Sequence, residues 1–121
     1  MILCGLALTH VYVLKSGATR AHRVAANGDL EALKREVDLD PSSIDKADVN
    51  GWKPIHEAAR GGQTEVIEYL IEKGVDLNER THDGKGASPL WWALRNFPDS
   101  HPVVKLLKKH GAQPLPPKDD K

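Results

Sequence analysis

His56 and Glu57, with Arg60, Gln63, Thr64 and Tyr69 close behind, set a base, an acid, a guanidinium and three hydrogen-bonding side chains inside one short stretch of the chain. Residues of these types can relay protons to a bound substrate, provided that they converge on one point. Their spacing argues against convergence. Consecutive helical residues point about 100° apart, so His56 and Glu57 cannot both face one molecule. The other histidines, His10, His22, His82, His101 and His110, form no i, i+4 pair and have no carboxylate at metal-ligand spacing. Nor is there a glycine-rich phosphate loop, a Ser-His-Asp set with its supporting motifs, or a His-x-Asp start to a facial triad. No catalytic residue, metal or cofactor is expected.

If this stretch is scaffold, the chain around it must show what it supports. Its 121 residues suit one compact domain. Seventeen basic residues balance seventeen acidic ones, so no overall field favours nucleic acid, an anionic membrane or an acidic substrate. Cys4, the single cysteine, cannot staple a core. The opening "MILCGLALTHVYVL" is apolar and lacks a carboxylate, and it sets residues 1–20 apart from the rest. It is shorter than the roughly 20 residues a membrane span needs. Two readings stay open: the h-region of a secretory signal ending near Ser16-Gly17-Ala18, or an apolar element packed on the domain edge. No basic residue follows Met1, and His10 interrupts the run. A cytoplasmic location is favoured, with the secretory pathway following if residues 1–18 are a signal.

A period runs through the remainder. "DVNGWKPIHEA" from Asp48 recurs 35 residues later as "DGKGASPLWWA" from Asp83, with Asp, Gly, Pro, an aliphatic residue and Ala in register. "VIEYLIEKGV" from Val66 recurs as "VVKLLKKHGA" from Val103, and "ANGDLEALKREV" from Ala26 is a weaker upstream copy of "RGGQTEVIEYLI" from Arg60. Each of the three units predicts two short helices. In the middle unit Pro54 opens the first, with Ile55, Ala58 and Ala59 as a thin apolar stripe, and Gly61-Gly62 closes it. Thr64 is placed as N-cap of the second, whose Val66, Ile67, Leu70 and Ile71 face inward until Gly74 supplies a left-handed stop. Gly84 and Gly86 are expected at finger turns needing positive φ. Neither helix can cover its own apolar face, so the units must stack as a solenoid.

The stretch "GWKPIHEAARGGQTEVIEYLIEKGVDLN" resembles an ankyrin repeat, with the match clearest from Asp48 to Arg80. The resemblance implies an all-α solenoid of helix-turn-helix units with finger loops over residues 21–113, and leaves 114–121 as a disordered tail. It also implies that His56 is structural, bonding backbone between units. Lys53 replaces a capping Thr, and Trp91 replaces the motif histidine, while Ser88 keeps a hydroxyl at its place. Insertions are expected at Thr81-His82 and around "FPDS" from Phe97.

By the same resemblance the chain is a non-enzymatic monomer that binds another protein or domain through fingers and inner helices, with no nucleic-acid partner and no membrane span. The candidate partner-binding residues are Asn50, Trp52 and Lys85 on the fingers and Glu57, Arg60, Trp92 and Arg95 on the inner helices. Trp52 is either an exposed hot spot or a packing residue over its neighbouring finger. Trp91 is expected to fill the histidine slot and Trp92 to lie nearer the concave face. Lys105, Lys108 and Lys109 read as a solvated helix end rather than a nucleic-acid patch. Asn78, with Asp76 and Leu70 before it, matches the pattern of ankyrin asparagines that are hydroxylated. Two alternatives remain. The third unit is similar to ankyrin tails of prolyl-4-hydroxylase-type, iron- and 2-oxoglutarate-dependent proteins, in which case this chain is an inactive portion of a larger one. The other alternative is a structural spacer.

Overall fold

The computed structural model describes residues 17–118. Among them six helices come in three pairs: α1 (Arg20–Asn27) with α2 (Leu30–Leu39), α3 (Pro54–Arg60) with α4 (Thr64–Glu72), and α5 (Pro89–Asn96) with α6 (Pro102–Lys109). Short 3-10 turns, Pro41–Asp45 and His82–Gly84, lie in the connections between pairs, and the described residues contain no strand. The helices α1, α3 and α5 pack on one another as an inner row, and α2, α4 and α6 form an outer row. The chain is therefore the all-helical solenoid that its period implies.

Small side chains let the inner row close tightly. Ala21, Ala25, Ala58, Ala59 and Ala93 are all essentially inaccessible where those helices meet. The bulk comes from between the rows, where Leu33, Ile55, Ile67, Leu70, Leu90 and Leu107 are fully buried. Truncating any of these to Ala would cost about 2–5 kcal/mol. Gly62 shows why the first helix must end on glycine. Its φ is 69°, and a Cβ there would press into the Phe97 ring of the next unit. That contact anchors the "FPDS" turn at its first residue, while Pro98, Asp99 and Ser100 remain exposed.

Several local expectations change. Gln63, not Thr64, is the N-cap of α4, and its amide reaches back to donate to the Ala26 carbonyl at 2.9 Å. Thr64 is the first helical residue, and no side chain makes a capping bond at this end of α4. Gly86 lacks positive φ; it is needed because a Cβ would collide with Thr81 Oγ1. Thr81 is not inserted either. It is fully buried, and its N–H donates to the Ala87 carbonyl just as Asp48 N–H donates to Trp52 O in the preceding finger. The residues that bulge are His82 and Asp83, at φ 55° and 54°.

The boundaries move outward. Thr19 caps α1 and belongs to the first unit. At the other end, the expected disordered tail is held as far as Lys118. Leu115 makes two bonds with Ser88, its carbonyl accepting from Ser88 N–H at 3.0 Å and its N–H donating to the Ser88 side-chain Oγ at 2.9 Å. Lys118 N–H donates to the Lys85 carbonyl at 2.8 Å. Prolines at 114, 116 and 117 restrict the segment before it docks, so little chain entropy remains to oppose these bonds. The apolar opening segment, residues 1–16, and residues 119–121 lie outside the described residues. No helix among the described residues is long and apolar enough to cross a membrane.

Candidate functional site

Each first helix must satisfy its own N-terminal amides and also grip the unit that follows. In the first two units one histidine does both. His22 Nδ1 accepts from Thr19 N–H at 3.0 Å while Nε2 bonds the Trp52 carbonyl at 2.8 Å. His56 repeats this, accepting from Lys53 N–H at 3.0 Å and bonding the Glu79 carbonyl at 2.7 Å. Because Nδ1 accepts, Nε2 must carry the N–H that donates. Burial pushes the His56 pKa below the ordinary histidine range, and the bond to Glu79 offsets only part of that shift. Lys53, the residue that lost a capping hydroxyl, instead places Nζ 2.6 Å from the Glu79 carboxylate. The role of His22 was missed at the level of sequence. Its signal was there, since Thr19-x-x-His22 stands 34 residues before Lys53-x-x-His56.

The third unit differs. Trp91 occupies the histidine's place in the helix but is only half-buried and makes none of its bonds. The grip passes to Ser88, whose Oγ donates to the Gln113 carbonyl at 2.6 Å.

An aromatic row runs across the inner face. Trp52 lies 4.7 Å from Trp92, and Trp92 meets Trp91 edge-on at 4.9 Å. Arginines close both ends, Arg60 at 4.8 Å from the Trp52 ring and Arg95 at 5.0 Å from Trp91. Trp52 is 9% accessible, so it is a packing residue rather than an exposed hot spot, in contact with Arg60 and Trp92. Trp92 Nε1 donates to Ala87 O at 3.2 Å. Glu57 does not pair with His56; it turns to Arg60 at 2.8 Å.

Between the first two units lies a groove of about 450 Å³. It brings together Asn50, Trp52, Glu57 and Arg60, and adds Arg23, which was not among the expected residues. Arg23 sits one residue after His22, as Glu57 follows His56, so the repeat itself marked it. Lys85, Trp92 and Arg95 belong to the third unit and do not line this groove. Asn50 stays exposed and its carbonyl accepts from His82 N–H at 2.7 Å, linking the two fingers. Asn78 is exposed too, but its Oδ1 accepts from Gln113 N–H at 2.7 Å. The described residues contain no group of His, Cys, Asp and Glu able to hold a metal.

Paired helices, fingers and the repeated histidine joint coincide with a family match. Residues 21–117 match the model for ankyrin repeats in three copies. The chain belongs to the ankyrin-repeat family. It is 32% identical over 93 residues to protein phosphatase 1 regulatory subunit 27 of Mus musculus, covering 77% of this chain and 56% of that one. It is 38% identical over 58 residues to the human NAD-capped RNA hydrolase NUDT12, covering 48% of this chain and 13% of the enzyme. Among solved structures, the human ASB11 ankyrin repeat domain superposes with a TM-score of 0.68 at 30% identity, over 79% of this chain and 41% of that domain. A chain from the structure of the predatory endopeptidase Bd0816 of Bdellovibrio bacteriovorus in complex with immunity protein Bd3460 gives 0.69 at 28% identity, over 79% and 48%. This ankyrin-repeat chain thus spans as little as 9% of the curated relatives it matches and up to 56%.

Proposed function

We propose that this ankyrin-repeat chain binds another protein along the face formed by its fingers and inner helices, and performs no chemistry itself. The observation that carries this reading is the open groove beside the arginine-tryptophan row. Polar side chains project there from the short, tightly packed inner helices, so a partner meets a preorganised surface and little ordering entropy opposes binding. Ankyrin repeats are a protein-interaction module, and one relative is named as a regulatory subunit of a phosphatase. The outer helix end favours a protein partner over nucleic acid, since Lys108 already faces Asp99 at 3.6 Å.

The test is affinity capture with the intact chain, identification of the bound protein by mass spectrometry, and measurement of its Kd. Replacing Asn50 and Arg60 by Ala together should raise Kd about tenfold or more, whereas Lys105 and Lys109 replaced by Ala should leave it unchanged. Dominance by the outer lysines would move the interface away from the groove. If no specific protein binds, the solenoid is a spacer.

A further inference from the structure

Charge on this molecule is neutral in sum but unevenly placed. The outer helices mix signs: α2 and α4 carry Glu31, Glu36, Asp38, Glu65, Glu68 and Glu72, while α2 also has Lys34 and Arg35 and α6 has Lys105, Lys108 and Lys109. The inner helices carry Arg20, Arg23, Arg60 and Arg95 against Glu57 alone. Asp48, beside the groove, spends its carboxylate on the finger, where one oxygen accepts from Asn50 N–H and Trp52 N–H, both at 2.9 Å. Glu57 is matched by Arg60 at 2.8 Å. That leaves Arg23, Lys85 and Arg95 exposed, with no ion pair among the described residues. In the connections between helix pairs the exposed carboxylates are Asp40, Asp45, Asp76 and Asp83, and none forms an ion pair with these cations.

Arg95 is also held. Its guanidinium sits 5.0 Å from the Trp91 ring, a contact that restrains the side chain through its face and uses none of its N–H donors. A restrained guanidinium with free N–H edges is matched by a carboxylate, which can accept two parallel bonds.

We infer that the concave face selects an acidic segment of its partner protein, laid across the inner helices with carboxylates on Arg23 and Arg95 and the groove at Trp52 and Arg60 between them. The inference rests on the groove being the binding site, as proposed above, and adds the chemistry of what enters it. Charge complementarity is the argument: an occupant with carboxylates pairs cations that the fold leaves unmatched, and a basic one meets them unscreened.

A phage-displayed library of random twelve-residue peptides, panned on the intact chain, tests this directly. Enriched peptides should carry more Asp and Glu than the starting library. By fluorescence anisotropy their affinity should fall about tenfold for the Arg23→Ala, Arg95→Ala double variant, and further as salt is raised. Reversing both charges, Arg23→Glu with Arg95→Glu, should turn the selection toward Lys- and Arg-rich peptides, an outcome that damaged folding cannot imitate. Neutral or basic peptides that lose affinity on Arg60→Ala would overturn the acidic preference and leave the groove standing. Acidic peptides indifferent to Arg23 and Arg95 would overturn it as well, and so would a twelve-nucleotide single-stranded RNA that binds more tightly than the peptides. Absence of any enriched peptide would remove both the inference and the groove.

Discussion

The joint after the second unit and the joint after the third meet the same requirement with different chemistry. His56 reaches from the start of α3 to the Glu79 carbonyl, one rigid ring bridging its own helix cap and the next finger. In the third unit Trp91 stands at that place without the histidine's bonds, and the grip falls to Ser88, at the position of Lys53. The short serine side chain cannot span that gap, so the following segment must come to it: Leu115 and Gln113 lie directly against the hydroxyl. A long side chain can hold a neighbour that has a helical unit of its own. A short one works only where the neighbour is an extended strap free to approach. The proline-rich end of the ankyrin domain therefore stands where a fourth finger would.

The contrast can be broken by mutation. His56→Ala should have the largest effect, because it leaves the Lys53 N–H and Glu79 carbonyl unpaired in a buried joint between two folded units. A loss of about 2–4 kcal/mol is expected in urea unfolding. A loss below about 1 kcal/mol would mean that the joint is not what couples the units. Ser88→Ala should cost less, about 1–2 kcal/mol, and its signature should be local. Hydrogen exchange at the Leu115 and Lys118 amides should speed up while α3 and α4 stay protected. Uniform loss of protection would show that the strap and the core open as one.

Acid separates the joints in a third way. The His56 pKa is lowered in the fold, so below the ordinary value of about 6.5 the unfolded chain takes up a proton that the folded chain refuses. The contribution of His56 is fully present above that pH and is lost as pH falls toward the depressed value, at no more than about 1.4 kcal/mol per pH unit. Thermal melts from pH 7 to pH 5 should fall more steeply for the parent than for His56→Ala. Parallel slopes would remove the histidine as the cause. Ser88 has no such proton to gain.

The smallest effect is expected at Asn78, which is exposed and contributes one bond to the strap at Gln113. Asn78→Ala should cost under about 1 kcal/mol. The same bond bears on hydroxylation. Incubated in air with an asparaginyl hydroxylase, iron(II) and 2-oxoglutarate, so that dioxygen supplies the oxidant, a peptide spanning residues 66–86 should gain one oxygen atom at Asn78 and the folded chain should not. Mass spectrometry reads both. Equal modification would mean that the strap does not guard this residue.

Much of the fold was legible because repetition multiplies weak local signals. Pro54 and Pro89 start helices at equal phase, Ala58 and Ala93 thin the same face, and Gly62, Gly74 and Gly111 fall where the chain turns left-handed. These are properties of short stretches, decided by φ preference and apolar spacing within a few residues. The proposed binding face was only partly legible. Asn50, Glu57 and Arg60 could be assigned to one groove from their phase, but Arg23 could not be added until the first unit was seen to carry its own histidine joint.

By itself the sequence determined the period, the all-helical class and the division into thin inner and thick outer helices, since each depends on residues close together along the chain. Tertiary structure alone decided that Trp52 is covered rather than exposed, that the Gln63 side chain before α4 bonds the first unit, that Ser88 takes over from a histidine, and that residues 114–118 are bound. In each case the partner lies 25 or more residues away or on a different helix, and a side chain's exposure or bonding is set by what packs against it in space.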